Sequence, residues 1–311
     1  GLLSCGLRMG QWTQNINILE SHIIGDPTFR FKPYRKFPQI KLNTKDPNYW
    51  IAVLKHNLPC DLKGLALYKL FNFNYPKMEE LLMSIYKSSN EWMLRLQCLH
   101  LMAYYGGDSY AELLKLAVND PYEFIRRKAA YFMGNVGRNE FVPYLVDLYL
   151  DDYLSERVTF NITRSAGMLN ASFFLKLFEQ KVNKADYIYN KEEFKRIPVL
   201  SVERGESMVI SMMQSLLDKS KSDKSRVSSI TTVKNNPSVE LLSDLLMVLK
   251  DKSESDFIRC TIAETLGWFF LCERKAEIVD VCKEILLEEK ITDSLKDELN
   301  KTINRLQTYM R

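Results

Sequence analysis

The three histidines, His22, His56 and His100, are the first places to look for acid–base or metal chemistry. None has a second His or a Cys at metal-ligand spacing. His100 stands among Leu99, Leu101 and Met102, the setting of a core or groove histidine. The adjacent acids Asp151-Asp152 and Glu79-Glu80 fall at helix ends or on helix faces, where carboxylates cap or stay solvated. The chain has no glycine-rich phosphate loop, dinucleotide fingerprint or nucleophile elbow. Its six cysteines include no C-x-x-C pair, and Cys98, Cys260 and Cys282 sit inside apolar helical runs. Buried thiols and a reducing compartment fit that pattern better than a disulfide framework. The residue inventory points away from catalysis, and neither a metal nor another cofactor is expected.

Recognition chemistry is better represented. Over 121–134, Glu123, Arg127 and Tyr131 recur every four residues, opposite the apolar face of a helix. Arg164 on a later helix can join them. Arginines and aromatics match the composition of interaction hot spots, although an ordinary solvated face has the same pattern. Trp268, within Leu266-Gly267-Trp268-Phe269-Phe270, reads as core. A second group lies between Lys184 and Glu206, where Tyr187, Tyr189, Phe194, Lys195, Arg196 and Arg204 mix aromatic and basic character. Pro198 and Gly205 interrupt that stretch. We expect a projecting loop or short helix beside a groove, contributing to partner recognition. The alternative is a drifted helix pair with its aromatics buried. A third group, Phe29-Arg30-Phe31-Lys32 and Tyr34-Arg35-Lys36-Phe37, could meet bases or an anionic membrane, or cap an open end with its aromatics.

Helices must position these groups. Lys+Arg 43 against Asp+Glu 39 leaves only +4, too mild to imply nucleic acid by itself. With 46% hydrophobic residues, 12 Gly and 10 Pro in 311 positions, the chain can bury a large core and is neither disordered nor turn-rich. Apolar residues follow helical spacing in successive pairs. Asp120-Pro121-Tyr122-Glu123 reads as a helix start, with Asp120 as N-cap, Pro121 at the first turn and Gly134 or Gly137 as the stop. Asp120 and Arg126 recur 31 positions later as Asp151 and Arg157. Lys63, Arg95, Arg126 and Arg157 are 32, 31 and 31 residues apart, and Arg226 and Arg259 are 33 apart. A fixed period of this size signals stacked helix pairs, none of which can bury its apolar face alone.

Pro143, Asp151 and Arg157, with Asp120 and Arg126, keep spacings that resemble the HEAT repeat family. The resemblance implies an all-α, right-handed α–α superhelix of about seven to eight helix pairs. It implies an irregular N-terminal arm over 1–45 and a solenoid over 46–308, with a degenerate or inserted segment at 184–206. It further implies that Arg126 and Arg157 form an inter-repeat ladder with Asp120 and Asp151. The functional expectation is a noncatalytic protein-binding scaffold or adaptor that uses a concave face. Glu123, Arg127, Tyr131, Arg164, Tyr187, Tyr189 and Arg196 are its candidate contacts, and another protein is the expected partner. The alternative is a nucleic-acid-binding protein related to HEAT-like alkylpurine DNA glycosylases. HEAT-like iron hydroxylases use His-Glu pairs, and no such dipeptide occurs here. Leu2-Leu3-Ser4-Cys5 resembles the end of a bacterial lipoprotein signal, so a lipid at Cys5 or a lost anchor is the only membrane route expected. Otherwise a cytoplasmic setting is favoured.

Overall fold

The computed structural model describes residues 8–10, 26–32, 40–288, 290–308 and 310. Cys5, His22 and the stretch 34–37 lie outside the described residues. Fifteen α-helices occur among them and no β-strand, so the chain is all-α as its periodicity requires. Arg8 and Arg30 share one isolated β-bridge. No described helix is long and apolar enough to cross a membrane. The helices divide into two compact units, one ending at Met102 and one beginning at Ala103.

The first unit holds α1 (Pro47–Lys55), α2 (Cys60–Asn72), α3 (Met78–Ser88) and α4 (Trp92–Met102). Asp46 caps α1 by accepting the Asn48 N–H at 2.9 Å, and Pro47 occupies the first turn, where its missing N–H costs nothing. α1 pairs with α2 and α3 with α4, while α2 and α4 stack side by side. Trp50, Leu62, Leu67, Leu70, Leu82, Leu99 and Met102 fill the space between them. The indole N–H of Trp50 donates to the Thr44 carbonyl, so this fully buried ring keeps its polar atom paired.

The second unit is also built of helices in two layers. One layer is α6 (Glu123–Val136), α8 (Glu156–Leu169), α10 (Lys191–Leu217), α11 (Asp223–Val233), α13 (Asp256–Leu266) and α15 (Asp293–Gln307), each packed on the next. The other is α5 (Gly107–Ala117), α7 (Val142–Asp151), α9 (Ala171–Lys184), α12 (Leu242–Lys250) and α14 (Lys275–Leu286). Ser155, Asn170, Asn190, Ser222, Ser255 and Thr292 each cap a helix by accepting a backbone N–H in its first turn.

Two local expectations change. α6 starts at Glu123, not Pro121: Tyr122 is the N-cap residue, and the Asp120 carboxylate accepts the Tyr122 N–H at 2.9 Å in the turn before it. Gly137, with φ +87°, is the left-handed stop of α6. Gly134 instead lies inside the helix, where a Cβ would come within 2.4 Å of the Ser165 hydroxyl on α8. Its missing side chain lets the two helices approach, and Ser165 Oγ donates to the Ala130 carbonyl across the contact.

The segment 184–206 does not leave the stack as a loop. After a short linker, residues 191–217 form the single helix α10, 27 residues long, with Pro198 and Gly205 inside it. Its first half packs on α9 and α8, and its last turns meet α11. One helix thus completes one pair and opens the next. Phe194 is not projecting: it joins the rings of Tyr149, Tyr153 and Phe178 at centroid distances of 5.3–6.2 Å.

The arginine ladder exists with different rungs. Arg126 donates to Asp152 through Nε (2.6 Å) and Nη2 (2.9 Å), while its Nη1 reaches the Asp120 carbonyl at 2.8 Å. Arg226 is bidentate to Glu254 and donates to the Leu216 carbonyl. Arg259 donates to the Leu249 carbonyl and approaches Glu288 at 3.5 Å. Arg95 reaches the Ser89 carbonyl. Each arginine therefore ties its own turn through a backbone carbonyl, and Arg126, Arg226 and Arg259 also reach an acid one pair further on. The spacing of six between Asp120 and Arg126 reports a carbonyl, not a carboxylate, which is why Ser89 serves equally well. Arg157 is a correction: it is exposed and its guanidinium makes no hydrogen bond or ion pair among the described residues.

Candidate partner-binding cleft

One concavity of the second unit follows from how α8 and α10 cross. Gly167 and Gly205 meet at the crossing, where a Cβ on Gly167 would lie 3.6 Å from the Gly205 Cα. Backbones that touch at one point leave the side chains on either side splayed apart. A cleft of about 600 Å³ opens there. Its walls are Phe160, Thr163 and Arg164 from α8 and Arg196, Ile197, Leu200, Arg204 and Met208 from α10, with Asn236 at one end.

Physically the wall is unusual for a water-facing surface. Phe160 is 68% exposed, Ile197 64% and Leu200 59%, and all three line this one cleft. On α10, Ile197, Leu200, Arg204 and Met208 follow one another at helical spacing along a single stripe. Three arginines line the cleft and no carboxylate does. Arg196 is held by Glu193 at 2.9 Å on the outer rim.

Arg164 is the anchored charge. Its Nε donates to Asn236 Oδ1 at 2.8 Å and its Nη2 to the Asn235 carbonyl at 2.7 Å. The guanidinium lies over the Tyr131 ring, 4.6 Å from the centroid. All of these partners are neutral. Nη1 is buried with no hydrogen-bond partner. Burial pulls the guanidinium below its ordinary pKa, because no anion stands beside it to offset the lost hydration. Beyond Tyr131, Arg127 lies over the Phe124 ring at 4.7 Å, and burial together with the Arg127 charge lowers the pKa of Lys128.

The sequence-derived contacts separate into groups. Arg164 and Arg196 line the cleft, and Tyr131 supports it from beneath Arg164. Arg127 lies over Phe124 on α6 and does not line the cleft. Glu123 instead accepts the Ser155 hydroxyl at 3.4 Å and ties α6 to the turn before α8. Tyr187 and Tyr189 are exposed on the linker before α10 and do not line the cleft. Lys195 is pinned by Glu192 at 2.6 Å and Glu179 at 3.7 Å. Trp268, read from sequence as core, is half-exposed under the Arg305 guanidinium. Phe160, Ile197, Leu200 and Met208 were not among the expected contacts. Reading the helix through Pro198 would have found the last three, since they share one stripe.

Among the described residues no group of three or more His, Cys, Asp or Glu is placed to hold a metal ion. Lys275, at the start of α14, is buried with its ammonium donating to the Phe270 carbonyl at 3.2 Å, and burial lowers its pKa. It borders a second, smaller cleft with Gly106, Gly107 and Arg138. Arg138 is already neutralised by Asp108 and Glu273.

No family model matches the chain. No curated protein matches it either. Among solved structures, human deoxyhypusine hydroxylase in complex with glycerol aligns with a TM-score of 0.32 and 13% identity, covering 74% of this chain and 96% of that one.

Proposed function

We propose that this protein is a noncatalytic scaffold of the HEAT-like type that binds another protein through the α8–α10 cleft. The observation that carries the reading is the apolar lining of Phe160, Ile197, Leu200 and Met208, left exposed in one cleft beside three arginines. Exposed apolar area of this kind costs solubility unless something covers it. Aliphatic side chains in a concave, arginine-rimmed wall suit the anchors of a protein surface. Nucleic acid is the weaker reading. Single strands are held by stacked aromatic platforms, and Phe160 is the one aromatic ring in the cleft lining.

A photoreactive residue at Leu200 tests this in the protein's own cell. We expect a discrete protein adduct that is lost when Ile197→Glu is added and absent when the probe sits at Leu154, an exposed leucine outside the cleft. Equal adducts from both positions, or adducts to nucleic acid, would overturn the proposal.

A further inference from the structure

We infer that the occupant of the cleft is an amphipathic helix of the partner, apolar on the side that enters and acidic along its flanks, with one carboxylate seated on Arg164. This rests on the scaffold reading and specifies the chemistry of the partner. The shape comes from the two walls. Phe160, Thr163, Arg164 and Gly167 repeat at helical spacing on α8, and Ile197, Leu200, Arg204 and Met208 do so on α10. Two helical stripes that diverge from one glycine crossing form a trough that takes a third helix, whose anchors recur every three or four residues. From Ile197 to Met208 the trough runs roughly 16 Å, about three helical turns.

The charge comes from what the cleft lacks. Arg164, Arg196 and Arg204 line it and no acid does. Arg164 is the decisive group, because it is fixed in place yet unneutralised. Asn236, the Asn235 carbonyl and Tyr131 orient it without supplying negative charge, and the residue lines the cleft. A guanidinium fixed in this way and partly desolvated gains more from a carboxylate than a solvated lysine would, since neither orientation nor dehydration remains to be supplied. A neutral or basic helix would bury that charge without an anion, which penalises the wrong partner. Elsewhere in the second unit the buried arginine Arg226 has its carboxylate within the chain. At Arg164 the missing carboxylate is left for the partner to bring.

The test uses the full chain and a displayed library of helical peptides. Flank positions are randomised around a leucine stripe, and binders are counter-selected on the Leu200→Glu variant. Enrichment of Asp and Glu at the flanks is expected. A selected peptide should weaken by about tenfold or more against Arg204→Gln, and likewise against Arg164→Met, as a charge-assisted contact is lost. Arg204 is exposed, so its variant keeps the test valid should Arg164→Met unfold. Lysine-rich or charge-indifferent winners would overturn the inference, as would the absence of any cleft-dependent binder or displacement of the peptide by duplex DNA alone. If the Leu200 adduct forms while the library yields no acidic helix, the scaffold reading stands and only this inference falls.

Discussion

Arg226 and Glu254, on successive turns of the stack, face each other through two parallel hydrogen bonds. Nη1–Oε2 and Nη2–Oε1 are both 2.8 Å, and each side chain is only 4% exposed. Arg226 Nε also binds the Leu216 carbonyl at the end of α10, so one guanidinium closes a turn and joins it to the next. Removing it leaves the buried carboxylate with only the exposed Lys219 ammonium, 3.3 Å away, as a cation. Arg226→Ala should therefore cost about 3–5 kcal/mol. Arg126→Ala, at a half-open rung, should cost about 1–3 kcal/mol. Arg157→Ala should change stability by less than about 0.5 kcal/mol, because its guanidinium holds nothing. Urea midpoints of the three variants check the order. A large loss at Arg157 would contradict the ladder described here.

The same pair sets an acid limit. Hydrogen bonding from Arg226 holds the Glu254 carboxyl below its ordinary value of 4.5, and desolvation opposes this without prevailing. A carboxyl depressed in the folded state contributes stability that is fully present above its unfolded pKa and lost as pH falls through the folded one. The melting temperature should thus decline as pH drops below about 4.5. Glu254→Gln should melt lower near neutrality and decline less steeply below that pH. Parallel profiles would show that this carboxyl is not the titrating contact.

Two glycines in helices should respond in opposite directions. Gly134 on α6 has Ser165 where its Cβ would go, and both Ser165 Cβ and Cα lie under 3.0 Å from that position. Gly134→Ala should destabilise by about 1–3 kcal/mol through overpacking. Gly64, inside α2, has nothing within 4 Å of its would-be Cβ. Gly64→Ala should stabilise by about 0.5–1 kcal/mol through helix propensity alone. Thermal denaturation of the two variants separates the effects, and a gain at Gly134 would mean that α6 and α8 are not in close contact.

Thiol chemistry offers a local probe of the packing. Burial pushes the Cys282 thiol up to about 12 and Cys272 up to about 11, and raises Cys98 further still. All three should resist alkylation at pH 8 until the protein unfolds, while the half-buried Cys60 and Cys260 react first. Mass spectrometry after timed labelling reads the order directly. Early modification of Cys282 would mean that α14 opens readily.

The helix pairs were legible because their apolar residues recur with period 3.6 and their turns carry capping residues. The site was legible in part. Arg164 and Arg196 stood out as arginines near aromatics, but the apolar lining of the cleft did not, since Pro198 and Gly205 read as punctuation. In the folded chain packing overrides that local preference. Pro198 is buried within α10, and Gly205 is the contact with α8 rather than a stop. The resemblance pointed to Asp151 as the ladder acid, but neighbours in sequence point in different directions at a helix end. Arg126 selects Asp152.

The continuity of α10 bears on how the protein comes apart. In most stacked-helix proteins each pair is its own cooperative element, and the boundary between pairs is where an unfolding front pauses. Here that boundary runs through the middle of a helix. Melting the turns around Arg196 removes support from α9, and melting those around Met212 removes it from α11, yet both belong to one hydrogen-bonded rod. The two pairs that share it should exchange their amide hydrogens as a single block, slower than pairs joined by a loop. The protein thereby places its least divisible region directly beneath the cleft.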